Sequence, residues 1–158
     1  MKAFFLSTMA LACGIPFLGV AGAAPAPKNA PPALASGDGS IKFGKDGHGV
    51  GYFNFDVKAS PRPSGSLLFA AEDHHLYPHD IVRVSKITEV TFGRRTAEFS
   101  GTGALHDTPV SMKVSIFDGD GTDRPDRFSI TCTDKQGHVV LHAEGDVFVG
   151  GLVVGAEK

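Results

Sequence analysis

Apolar and polar residues alternate in three consecutive runs between Thr96 and Thr133. In the first, Ala97, Phe99, Gly101, Gly103 and Leu105 share a face. In the second, Val110, Met112, Val114 and Ile116 stand opposite Ser111, Lys113 and Ser115. In the third, Phe128, Ile130 and Cys132 stand opposite Arg127, Ser129 and Thr131. A period of two over several residues marks half-buried strands. The gaps, His106-Asp107-Thr108-Pro109 and Asp118 to Asp126, are short enough to join these strands into an antiparallel meander.

The same pattern extends in both directions. Ile41 and Phe43 predict a short opening strand, and Gly51, Phe53, Phe55 and Val57 alternate with Tyr52, Asn54, Asp56 and Lys58. Gly65 to Ala71 resumes as a strand after Pro61 and Pro63, and Glu72 to Asp80 reads as a polar connection. In Ile81 to Phe92 the apolar positions slip from Val82 and Val84 to Ile87, which predicts a β-bulge. His138 to Val149 places Val139, Leu141, Ala143, Val147 and Val149 on one side, and Leu152-Val153-Val154 supplies a last apolar triplet. No segment carries apolar residues at helical spacing over three turns. The expected fold is all-β, an antiparallel meander of about seven or eight strands forming a small sandwich or barrel. Gly101, Gly103 and Gly145 fall on core faces, where glycine fits tight bends or close strand packing.

The amino terminus has a different character. Lys2 precedes an apolar, small-residue stretch from Ala3 to Val20, and Ala21-Gly22-Ala23 supplies the small residues that a signal peptidase requires. A signal peptide over residues 1–23 is expected, with cleavage between Ala23 and Ala24 and a secreted or periplasmic destination. Pro16 and several glycines disfavour a retained membrane anchor, so no transmembrane segment is expected after cleavage. Residues 24–39, APAPKNAPPALASGDG, read as a flexible Pro/Ala-rich leader, and residues 40–155 as the domain. The chain of 158 residues has a formal charge of −2, which excludes a basic surface for nucleic acid. Of its two cysteines, Cys13 lies in the signal segment. Cys132 is left without a partner and reads as a small buried hydrophobe. The domain must therefore stand on its core, without a disulfide.

Several segments together resemble a known family. They are the strand Gly49 to Lys58, the Ser-Gly-Ser-Leu-x-Phe segment Ser64 to Phe69 and the acidic, His-containing connection. To these add Ile87 to Val90, Ala97 to Gly103, and the run from Val114 through Asp118 to Asp126, Phe128 and Ile130. The series is similar to the small secreted bacterial β-domains called post-COAP-1 domains, over nearly all of residues 39–155. The resemblance implies an all-β exported domain and carries no catalytic residue onto this chain. The chain departs from the pattern at His106-Asp107-Thr108-Pro109 and in the paired His74 and His75.

Two stretches hold candidate chemistry. Glu72 to Asp80 packs three imidazoles among three carboxylates, so Asp73, His74, His75 and His79 are candidate zinc or copper ligands if Pro78 bends the loop. The competing reading is a solvated polar connection. In Asp118-Gly-Asp-Gly-Thr-Asp-Arg-Pro-Asp126, alternating aspartate and glycine makes Asp118, Asp120, Asp123 and Asp126 a candidate calcium set. Ser129 stands at position twelve, where an EF-hand needs glutamate, so a hairpin turn with aspartates bonding the backbone competes with it. No serine sits in a Gly-x-Ser-x-Gly elbow, and His142, Glu144 and Asp146 share the polar face of one strand. Apart from these two ion sites no cofactor is expected.

The sequence predicts an exported, non-catalytic, monomeric β-domain that acts as a structural or interaction module. Its expected partner is an unidentified protein or envelope component. The alternative is an exported protein that binds a metal ion or small ligand, through the 72–80 loop or a barrel interior. An enclosed cavity of several hundred Å³, on the order of known ligand pockets, would favour the alternative.

Overall fold

The computed structural model describes residues 33–45, 47–59, 61–73 and 76–156, without the side chains of residues 33, 73, 76–79 and 156. The chain is all-β. Its eight strands are β1 (Ala33–Phe43), β2 (Gly49–Lys58), β3 (Ser64–Asp73), β4 (Leu76–Phe92), β5 (Thr96–Leu105), β6 (Thr108–Phe117), β7 (Arg127–Thr133) and β8 (Val139–Ala156). Each pairs antiparallel with its neighbours in chain order, and β1 pairs with β8, so the sheet closes into a barrel. Closure settles the choice between sandwich and barrel. It also removes both sheet edges, which would otherwise template aggregation.

The alternation read in the sequence becomes the inside and outside of this barrel. Phe53, Phe55, Val57, Leu67, Phe69, Phe99, Val114, Ile116, Phe128, Ile130 and Leu152 are buried in one core. Five rings from four strands meet inside it. Phe128 of β7 stacks on Phe53 of β2, with centroids 4.4 Å apart and planes 3° from parallel. It lies 5.9 Å from Phe69 of β3 and 6.1 Å from Phe55, which reaches Phe99 of β5 at 5.6 Å. Rings from opposite walls in contact leave no lumen between them. Where these rings meet, the interior is filled.

Small residues on the inner face make room for those rings. A Cβ on Gly51 would stand 2.7 Å from the Phe69 ring, and one on Gly37 would stand 2.6 Å from Leu152 and 3.1 Å from Phe55. Gly101, Gly103 and Gly145 serve a different need. Their missing Cβ atoms would collide with the carbonyl oxygens of Lys86, Arg83 and Lys42, backbone atoms of the adjacent strands. This is the close strand packing expected of them.

Two expectations about strand limits are corrected. β1 opens at Ala33, so residues 33–39 do not belong to the leader; residues 34–39 pair with both β2 and β8. The inner face of that stretch is Ala35, Gly37 and Gly39, too small to produce a visible apolar period. The polar connection expected over Glu72 to Asp80 is mostly strand, since β3 runs to Asp73 and β4 begins at Leu76, with Ala71 opposite Asp80. The bulge expected in β4 is present, with register shifts at Val84/Lys86 and again at Ile87/Glu89.

Cys132 is fully buried, and burial pushes its thiol up to about 11, so it stays neutral and packs as a small apolar group. Among the described residues no helix is long and apolar enough to cross a membrane. A membrane-spanning barrel turns apolar residues outward and polar ones inward. Here the rings are inside, and Lys42, Asp56, Arg83, Lys86, Glu98, Lys113, Arg127 and Glu144 are exposed.

Because Phe128 touches three other rings at the barrel centre, Phe128→Ala opens a cavity that the closed sheet cannot collapse into. The expected loss is about 3–5 kcal/mol of unfolding free energy, read by urea denaturation. A loss below about 1 kcal/mol, the level of an ordinary substitution, would contradict a filled interior.

Candidate functional site

The two stretches singled out for metal chemistry fare differently. His74 and His75 lie outside the described residues, as do the side chains of Asp73 and His79, so that set has no geometry to report. The next residue, Asp80, does. Its carboxylate meets His106 Nε2 at 2.6 Å, across from the β5–β6 turn. His106 and Asp107 form that turn with φ of 47° and 64°, the left-handed pair that a two-residue hairpin demands. A shallow groove of about 190 Å³ lies beside them, lined by Ile81, Arg83 and Ala104.

In the β6–β7 loop, Asp118, Asp120 and Asp126 each bring a carboxylate oxygen within 4.8 Å of the others, while Asp123 is exposed and stands outside the group. The hydrogen bonds give two of the three another task. Asp126 Oδ1 accepts from the Gly119 N–H at 2.7 Å, and its Oδ2 accepts from the Leu152 N–H at 2.7 Å. Asp118 Oδ1 accepts from the Asp120 N–H at 2.9 Å, and its Oδ2 accepts from the Val154 N–H at 3.1 Å. Both carboxylates thus tie the loop to the C-terminal part of β8, one at the Leu152 N–H and the other at the Val154 N–H. Thr122 Oγ1 closes the loop on itself by donating to the Gly119 carbonyl at 2.6 Å. Only the backbone of Asp120 takes part. The loop is a latch on the closing strand, built as the backbone-bonded hairpin turn anticipated for it.

The polar face of β7 and β8 carries a chain of side chains. Arg127 Nη2 donates to Glu144 Oε1 at 2.6 Å, Glu144 Oε2 lies 3.8 Å from His142 Nε2, and His142 Nδ1 meets Thr131 Oγ1 at 3.0 Å. Thr131 and His142 are direct cross-strand partners, as are Ser129 and Glu144. A hydroxyl, an imidazole and a carboxylate in line resemble acyl-transfer machinery, which also needs free N–H donors aimed at an oxyanion. In a closed barrel the N–H groups of β7 are committed to the ladders with β6 and β8. At the β7–β8 turn, desolvation alone would raise the Asp134 carboxyl. Hydrogen bonds from the His138 N–H and imidazole and from the Gln136 N–H outweigh it and hold that carboxyl below its ordinary value.

The sequence reading missed a different feature, on the outside of β8, β1, β2 and β3. Register aligns Val149, Ser40, Tyr52, Ala70 and Ile81 in one outward row across five strands. The row carries no charge. Tyr52 is 48% exposed and Val149 59%, and Phe148 and Leu68 stand beside them at 50% and 45%. Ser40 also faces outward, since Gly39 and Ile41 face the core, yet it is only 7% exposed between Tyr52 and Val149. On the opposite wall the matching rows are Glu98, Ser115, Ser129 and Glu144, then Ser100, Lys113, Thr131 and His142.

A bulge produces the apolar face. Between Ser40 and Ile41 the register against β8 jumps from Val149 to Val147. Phe148 is the extra residue and lies under the Lys42 ammonium, 5.4 Å from ring centroid to Nζ. Val149 was expected on the core side with Leu141 and Ala143, and the bulge reverses it. Val139 is also exposed, because a second shift separates Cys132↔Leu141 from Thr133↔Val139. The available signal was the unbroken run Val147-Phe148-Val149, too apolar for a strand with one wet face.

The fold and this face together define a closed, up-and-down, eight-stranded antiparallel barrel with aromatic rings packed in its interior and one uncharged row across its outer wall. The chain matches no family model, no curated protein and no solved structure.

Removing the Asp126 carboxylate leaves the N–H groups of Gly119 and Leu152 without their acceptors. Asp126→Ala is expected to cost about 2–4 kcal/mol, measured by thermal or urea unfolding, whereas Asp120→Asn leaves stability unchanged. Stabilisation by calcium that Asp120→Asn abolishes would instead make the loop an ion site.

Proposed function

We propose that this chain is an exported, non-catalytic interaction module of the cell envelope or exterior, which engages its partner through the outer wall of β8, β1 and β2. The observation that carries this reading is the uncharged row Val149, Ser40, Tyr52, with Phe148 and Leu68 beside it. Exposed apolar residues gathered on one wall, rimmed by polar ones, mark interaction sites. Aromatic anchors such as Tyr52 and Phe148 dominate protein interfaces energetically.

Three further features support it. The stacked rings around Phe128 occupy the volume in which an up-and-down barrel would hold a small ligand. The side chains of the opposite wall are solvated and paired with each other, as Lys113 with Glu98 at 3.1 Å and Arg127 with Glu144. Export is supported by the pattern of residues 1–23. The resemblance to post-COAP-1 domains points the same way and names no partner.

An ion-binding exported protein remains the second reading, favoured by the grouping of Asp118, Asp120 and Asp126. It is the weaker one, because two of those carboxylates already hold β8.

A photo-crosslinking residue placed at Tyr52, in a chain expressed with its leader, is expected to give a discrete adduct. The same residue at exposed Ser111, on the opposite wall, is expected to give none. Adducts at Ser111 alone, or at neither position, would contradict the assignment of the face. A mature amino terminus other than Ala24 would contradict the export expected from the leader.

A further inference from the structure

We propose that the partner bound by this wall is a second copy of the same chain. The proposal rests on the preceding assignment of the wall as the interaction face, and it deepens that assignment by identifying the occupant.

The argument is self-complementarity of charge and shape about the Ser40 row. On β1, the outward residues on either side of Ser40 are Asp38 and Lys42, one acidic and one basic, both exposed. Each lies two residues from Ser40, hence about 7 Å from it along the strand. Lay two barrels face to face on this wall, related by a two-fold axis that runs across the strands at the Ser40 row. The strands of the two copies then run in opposite directions. Val149, Ser40 and Tyr52 of one copy meet the same residues of the other. Lys42 of each copy falls opposite Asp38 of the other, so one symmetric contact makes two opposite-charge pairs.

The bulge sets Phe148 on the Lys42 side of the row, beneath the Lys42 ammonium. A two-fold axis along the strands would set Lys42 against Lys42 and Asp38 against Asp38. Charge thus selects one of the two face-to-face arrangements. Isologous contacts of this kind close at the dimer.

Barrel curvature confines the contact to about three strands. The buried area therefore falls at the low end for specific interfaces, and the dimer is weak, dissociating in about the micromolar to millimolar range.

The test is sedimentation of the mature chain over that concentration range, with single, double and mixed charge variants. Wild type is expected to dimerise reversibly. Asp38→Lys sets Lys against Lys and Lys42→Asp sets Asp against Asp, so each alone weakens association by about tenfold or more. The double variant Asp38→Lys/Lys42→Asp restores it. An equimolar mixture of the two single variants associates more tightly than either alone, because every facing pair is then of opposite charge. Both positions are exposed, and circular dichroism confirms that the variants fold. A wild-type chain that stays monomeric to about a millimolar, or a mixture no tighter than its components, would overturn the proposal. If the wild type stays monomeric while the Tyr52 adduct has a mass other than twice the chain, self-pairing fails and the interaction wall stands. If no adduct forms either, both fail.

Discussion

The contact between Phe128 and Phe53 across the barrel axis is the constraint on which the rest of the structure depends. A closed eight-stranded sheet is only as stable as the packing of its interior, and among the described residues no disulfide supplements it. Five phenylalanine rings from four strands are too large to share that interior with a full complement of side chains. The inner face therefore carries glycines where rings lie against the wall, as at Gly51 beneath Phe69. Aromatic residues and glycines here are two halves of one packing solution. An alanine at Gly51 would have to displace a ring that Phe128 already holds in place.

Closure sets the second constraint. β8 is shared between β7 and β1, so it must bend, and its bend is secured by Asp118 and Asp126 from the β6–β7 loop. In the acidic loop that reads as a calcium site in sequence, two of the carboxylates anchor this closing strand. The same bend generates the bulge at Ser40/Ile41 and turns Phe148 and Val149 outward together. The uncharged row of Val149, Ser40 and Tyr52 follows from how this barrel closes.

Much of the fold was legible because most strands have one wet and one dry face. Phe53, Phe55 and Val57 in β2, Val110 to Ile116 in β6 and Phe128 to Cys132 in β7 all point as the period of two demands. The slip between Val84 and Ile87 correctly announced a bulge. What escaped has a physical cause in each case. The start of β1 reads as leader because Ala35, Gly37 and Gly39 leave their volume to neighbouring side chains, so that half of the strand shows no apolar period of its own. Val149 reads as core in sequence because a bulge shifts a strand's faces without changing its composition. The exposed apolar face assembles Tyr52, Leu68 and Val149 from three strands, and only the register of a closed barrel brings them together. The Asp80–His106 pair was hidden for the same reason.

The most direct test of a barrel that recognises through its wall is a concentration series of amide NMR spectra on the mature chain. From about ten micromolar to about a millimolar, the moving resonances are expected to cluster at Asp38 to Lys42, Val50 to Asn54 and Val147 to Val153. Those of β5, β6 and the β6–β7 loop are expected to stay fixed. Shifts confined to the β6–β7 loop, or an unchanging spectrum, would contradict the account.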